Sequence, residues 1–468
     1  MCIVQRKKYT ELKFDEVKMS DFNSLTASEL GLMIGQGKID PIELTEYFIS
    51  RIELSPIGEK TYTTVTSQLA LDQAKEARER ARLGKRLSSL DGVPISWKDL
   101  FDVKGYPCEA GSELLVGRHA EKNCKVYNFA DAHGLICLGK THMSELAFSG
   151  LGLNPIRETP PCVNFPECVP GGSSSGAATS VSFGLAAAGI GSDTGGSVRI
   201  PAAWNDLVGL KTTSGKLSLE GVVPLCGHFD TVGPLTKSVE DAARLFGIMM
   251  GREISLPEPK TLKGFKFAIL KSVALDNLVD LPKKAFEGSV DRLTEAGASI
   301  VEITVPSVKE AMDLTGLLYS AEAYATWRHK IEKSPELMFS RILERFRSGA
   351  NVLAADFIQA WQKLLDLRKH YNSEIQKYDA ILIPTSPIMP PDISRLMNDG
   401  DFYNSQNLLA LRNTRIGNLM GGCSITLPTG VPSCGLLIMG MPNQEERLLR
   451  LAQACESVLQ KNNRSKIS

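Results

Sequence analysis

Apolar residues recur at helical spacing through IELTEYFISRIE, and Asp40-Pro41 just before it supplies an N-cap and a first-turn proline. A shorter helical pattern opens at 25–30, and 70–83 predicts a helix whose charge run is a solvated face. Further helices are predicted over 125–132, 176–184, from Ser238 onward, 283–296, most of 308–378, and 444–459. Short apolar runs between them predict strands: from Ile95 after the turn Asp91-Gly92-Val93-Pro94, then 135–139, 185–192, 206–213, 266–270, 299–305, 378–385, 424–427 and 435–439. Asp230-Thr231-Val232-Gly233-Pro234-Leu235 reads as a turn, and Ser197 opens another into Val198-Arg199-Ile200-Pro201. This alternation predicts an α/β fold with a mixed or largely parallel β-sheet covered by helices on both faces. The expected layout is a polar leader over 1–24, one large domain over 25–461 and a polar tail over 462–468.

Composition narrows the class. Lys+Arg and Asp+Glu both number 53, so no bulk attraction to nucleic acid or an anionic membrane is expected. The ten cysteines are scattered with no CxxC pair, which argues against zinc and a disulfide framework and for a reducing compartment. The leader is charged throughout and lacks the apolar core of a secretory signal, so the expected location is cytoplasmic. The longest apolar run, 181–190, is too short to span a bilayer. No metal or cofactor is expected.

The stretch 170–201 concentrates the candidate chemistry. It holds Gly171-Gly172-Ser173-Ser174-Ser175-Gly176 and Asp193-Thr194-Gly195-Gly196-Ser197, joined by a small apolar run. The backbone amides of Thr194, Gly195, Gly196 and Ser197 suit a concave nest of N–H donors, and equally a plain glycine turn with a serine cap. Gly172 to Gly176 also fits G-x-S-x-G, but that elbow requires a preceding strand and a later acid and histidine. The segment before it, NFPECVP, is a loop, and of His228, His329 and His370 only His228 stands outside charged helical sequence. A phosphate-binding P-loop is excluded, because no GxxxxGK[ST] occurs. Lys98, at the end of a strand-like run, reads by itself as an ordinary strand-end lysine.

Five segments taken together change that reading. Gly92-Val93-Pro94 with Lys98, the run from Pro170 to Gly176, Gly191 to Pro201, Asp230 to Pro234, and Leu382-Ile383-Pro384-Thr385 resemble, in order and spacing, the amidase signature family of serine hydrolases. The resemblance covers 25–459. It implies Ser197 as nucleophile, Ser173 as a second serine on a cis peptide bond, and Lys98 as general base. Ser173 and Ser197 lie 24 residues apart, the family's spacing. It implies an oxyanion hole from the amides of Thr194 to Ser197, and supporting roles for Asp193, Arg199 and Ser174. Ser175 and Ala177 replace a glycine and a serine frequent in the family. A free lysine, with a pKa of about 10.4, is no base at neutral pH, so Lys98 would have to be buried.

The implied partner is a small-molecule amide, with homodimer formation left open. His228 and Phe229 read either as acyl-pocket lining or as a packed turn, and Met143 is a third pocket candidate. The apolar loop after Lys140 resembles the broad bacterial amidases more than the glutaminase subunits of glutamyl-tRNA amidotransferases. The ammonia-generating subunit of such a tRNA-modifying complex is the alternative, and only there would nucleic acid enter, indirectly. A catalytically silent member is disfavoured, because Lys98, Ser173 and Ser197 are all present.

Overall fold

The computed structural model describes residues 22–258 and 261–464. Most of the leader and the end of the tail expected from sequence lie outside them. One mixed eleven-stranded sheet runs through the molecule in the order β1-β3-β2-β4-β6-β5-β10-β11-β9-β7-β8. Its strands are β1 (Tyr62–Val65), β2 (Pro94–Lys98), β3 (Ile136–Thr141), β4 (Ala188–Asp193), β5 (Val208–Lys211), β6 (Thr231–Thr236), β7 (Lys266–Leu270), β8 (Ser299–Ile303), β9 (Ala380–Pro384), β10 (Ser424–Pro428) and β11 (Gly435–Met439). Pairing is parallel for β2 with β3 and β4 and for β7 with β8 and β9, and antiparallel elsewhere. Helices flank the sheet, as the alternating pattern predicts. The central strands β2 to β6 are buried along their whole length, whereas the edge strand β8 is largely open. Among the described residues no helix is long and apolar enough to cross a membrane. The nine cysteines among them are free.

Several segments depart from the sequence reading. The turn expected at 230–235 is the central strand β6, held between β4 and β5. Gly233-Pro234 suggested a turn because proline lacks an N–H. Pairing with β5 ends at Leu235, so Pro234 sits where one ladder has already stopped. The turn expected after Ser197 is a helix, Arg199–Trp204, which tolerates Pro201 because it falls in the first turn. The helix Gly400–Leu419 had no expectation at all; Asp399 caps it by accepting from the Phe402 amide.

Small residues decide how the central stretch packs. Helix Ser175–Ser182 contributes Ala177, Ala178 and Val181 to a cluster with Val198, Ala202, Leu207 and Leu235. A Cβ on Gly191 of β4 would come within 2.6 Å of the Ser174 hydroxyl, so glycine there permits the helix start to lie directly on the strand. The apolar run between the two serine clusters is therefore a helix folded back on its own strand. That fold brings both clusters to one end of β4.

Candidate active site

Strand register places the lysine. Trp97 of β2 pairs with Ile190 of β4, so Lys98 comes alongside the end of β4. Its side chain is fully buried, and its Nζ donates to the Ser173 hydroxyl at 2.7 Å and the Ser192 hydroxyl at 2.8 Å. Burial brings the Lys98 pKa down to about 7, although Asp193 and Asp230 pull the other way. Ser192 had no assigned role in the sequence reading; only the pairing of β2 with β4 reveals it as the second partner of the amine. The Gly172–Ser173 peptide is cis.

The two serine clusters meet through the backbone. The Ser174 amide donates to the Ser197 carbonyl at 3.2 Å, and the Ser174 hydroxyl donates to the Ser192 carbonyl at 3.2 Å. Asp193 organises the turn between β4 and Ser197. Its carboxylate accepts from the amides of Gly196 and Val198, from the Arg199 guanidinium and from Asn418. Burial pushes this carboxyl up, but Arg199, Lys211 and Asn418 more than offset that and hold it well below the usual carboxylate range. Asp193→Ala would leave three donors and the buried Arg199 guanidinium without their carboxylate, and is expected to destabilise the fold by about 3–5 kcal/mol. A guanidinium chloride titration checks this through the unfolding midpoint.

The donor nest differs from expectation at one position. The Gly196 amide is taken by Asp193 at 2.9 Å, whereas those of Thr194, Gly195 and Ser197 make no hydrogen bond to other described residues. Gly196 has φ +143°, and a Cβ there would fall 2.1 Å from the Thr414 hydroxyl, which itself donates to the Gly195 carbonyl. The Thr194 end is fixed by its hydroxyl donating to Asp230 at 2.6 Å and by its carbonyl accepting from the Tyr319 hydroxyl at 3.0 Å. Burial pushes the Asp230 carboxyl up to about 6.

Ser197 opens into a tight cavity of about 20 Å3, whose walls include Phe148, Thr194, Tyr319, Arg345 and Arg415. A wider groove around Glu43, Tyr47 and Arg51 includes Ser50 and Ser55 but no lysine in its walls, so chemistry rather than size locates the site. Of the three pocket candidates from sequence, none lines the cavity. The His228 side chain is 63% exposed and pairs with Glu322, so its ring lies at the surface. Phe229 is buried behind the wall, stacked on Tyr319 at 4.3 Å. Met143 is fully buried, and its carbonyl accepts from Asn154. Sequence reading missed Tyr319, Arg345 and Arg415 because they come from helices Thr315–Ile331, Ser340–Arg347 and Gly400–Leu419, distant in sequence from every serine motif.

Comparison with known proteins identifies the family. The Amidase family profile matches residues 43–449. A 2-amino-5-chloromuconic acid deaminase from Comamonas testosteroni is 35% identical over 393 residues, covering 80% of this chain and 83% of that protein. The A subunit of the glutamyl-tRNA(Gln) amidotransferase from Ruminiclostridium cellulolyticum is 31% identical, covering 93% and 98%. A crystal structure of an amidase, 27% identical, superposes with a TM-score of 0.83 over 92% of this chain and 99% of that one. Fatty acid amide hydrolase, 21% identical, shares the fold with a TM-score of 0.84, covering 94% and 86%. The chain belongs to the amidase signature family and is a hydrolase of amide carbon–nitrogen bonds.

Proposed function

We propose that the chain hydrolyses a small carboxamide through an acyl-enzyme on Ser197, with Ser173 and Lys98 as the proton relay. The observation that carries this reading is the buried Lys98 amine, 2.7 Å from the Ser173 hydroxyl with its pKa near 7. A lysine so tuned is partly neutral at physiological pH and can accept a proton. The Ser197 Oγ attacks the amide carbon while its proton passes to Ser173, and the Ser173 proton passes to Lys98 Nζ. Charge develops on the carbonyl oxygen, toward which the free Thr194, Gly195 and Ser197 amides are the available donors. The C–N bond breaks as the proton returns through Ser173 to the leaving nitrogen. Water then adds to the ester, releasing the acid and restoring the Ser197 hydroxyl. Asp193 and Arg199 hold the nest, and Ser174 ties the two serine segments together.

The test is rapid quenching of the purified chain with a panel of primary amides. The acyl group is expected on the peptide containing Ser197, with stoichiometric ammonia release. An acyl group on any other residue, or turnover that survives Ser197→Ala, would overturn the mechanism. Because neutral Lys98 is the active form, kcat/KM is expected to rise with pH through about 7 and level off above it. A pH–rate profile on a neutral amide, whose own charge is constant, checks this.

The second reading is the ammonia-generating component of a tRNA-dependent amidotransferase. Its support is the 31% identity to the Ruminiclostridium cellulolyticum amidotransferase chain over nearly the whole length of both proteins. Ammonia release from simple amides by the chain alone favours the first reading; activity only with added partner subunits favours the second.

A further inference from the structure

Two arginines share the cavity with the Ser197 nucleophile, and neither is paired with a described acid. Arg415 is only 6% exposed, and its Nε has no hydrogen-bond partner among the described residues. Its guanidinium lies 5.7 Å from the Tyr319 ring centre. Arg345, a half-buried residue of the same cavity, lies 4.3 Å over the Phe148 ring and donates to the Phe148 carbonyl at 2.8 Å. No carboxylate is among the leading influences on either guanidinium, and Arg415 disfavours the charge on Arg345. The contrast with Arg199 is informative: that buried guanidinium meets the Asp193 carboxylate in a two-pronged pair. A buried charge without an acid, as at Arg415, is costly, so this guanidinium with Arg345 beside it in the cavity calls for an anionic ligand.

We propose that Arg345 and Arg415 bind a carboxylate on the acyl portion of the substrate, so that the preferred substrates are monoamides of short dicarboxylic acids lacking an α-ammonium group. Shortness follows from the tightness of the cavity, about 20 Å3, whose walls hold Ser197 and both guanidiniums. The missing ammonium follows from the walls, which present no aspartate or glutamate to match it. The carboxylate belongs to the acyl side because a primary amide loses only ammonia from the other. This proposal rests on the acyl-enzyme reading above, and it separates the two functions considered there: glutamine carries the α-ammonium that these walls do not match.

The experiment compares kcat/KM of the purified full-length chain for succinamic and glutaramic acids, their uncharged isosteres butyramide and pentanamide, and the α-amino counterparts asparagine and glutamine. The acids are expected to exceed the uncharged amides by about 100-fold and the α-amino acids by a similar factor. Arg415→Gln and Arg345→Gln are each expected to bring the acid-to-neutral ratio toward one. Succinate or glutarate is expected to inhibit the wild-type chain competitively, with succinamide ineffective, a readout that needs no variant. Equal turnover of acids and neutral amides, or a ratio unmoved by both substitutions, would overturn the carboxylate assignment while leaving the acyl-enzyme reading intact. Preference for glutamine would overturn it in favour of the glutaminase. No turnover and no Ser197 adduct with any amide would overturn both.

Discussion

Ser197→Ala is expected to lower kcat for any amide substrate by on the order of 10^6-fold, the scale seen when the nucleophile is removed from a serine relay. The same substitution is expected to leave the fold unchanged. Ser197 is buried at the mouth of the cavity, and the bonds that hold its turn come from the Asp193 carboxylate and from backbone groups rather than from its own hydroxyl. Removing the hydroxyl therefore strands no buried polar partner. Steady-state kinetics with an equilibrium unfolding curve on the same sample checks both halves. Retained amidase activity would remove Ser197 from the mechanism.

Lys98→Met is expected to cost about 10^4-fold in kcat, at the upper end for loss of a general base and about 100-fold less than loss of the nucleophile. Methionine fills a similar volume without a titratable amine. Its effect on stability divides into opposing parts. The amine no longer has to be desolvated, which favours the fold, while the Ser173 and Ser192 hydroxyls lose a partner at 2.7 and 2.8 Å. The two are expected to balance within about 2 kcal/mol, so a thermal melt should move little while turnover collapses. Linkage gives a further check. Lys98 has a folded-state pKa lowered from 10.5 to about 7, so the unfolded chain binds the extra proton between those values. Its contribution disfavours folding most below pH 7, and this penalty fades as pH rises toward 10.5. Lys98→Met should remove that part of the pH dependence. A variant that melts like the wild type and still turns over amides would return Lys98 to the role of a strand-end lysine.

Much of the sheet was legible in the sequence because buried strands are short apolar runs bounded by turn residues. β2, β3, β4, β7, β9, β10 and β11 fall where that pattern placed them, within a few residues. β6 was not legible, because Gly233-Pro234 carries a local turn signal that its place between β4 and β5 overrides. β1 gave no signal; Tyr62–Val65 is four residues long and pairs only at the sheet edge with β3. For His228 and Phe229 the sequence left pocket lining and a packed turn open. Position just before Asp230 in sequence suggested the pocket, yet the side chain turns outward to Glu322, and Phe229 turns inward behind Tyr319.

The sequence by itself determined the α/β class and the family, and the resemblance to that family supplied the three residues on which the proposed chemistry rests. It could do so because Lys98, Ser173 and Ser197 stand inside short segments whose order and spacing are those of the family. Only the tertiary structure decided what surrounds them. The register of β2 against β4 brings Ser192 to the lysine, and the fold of Ser175–Ser182 onto β4 joins the two serine clusters. Helices from the second half of the chain carry Tyr319, Arg345 and Arg415 to the nucleophile, across separations of more than a hundred residues. Nothing local marks an arginine as lacking an acid. That property belongs to everything packed around it, and it is the property that points to the substrate.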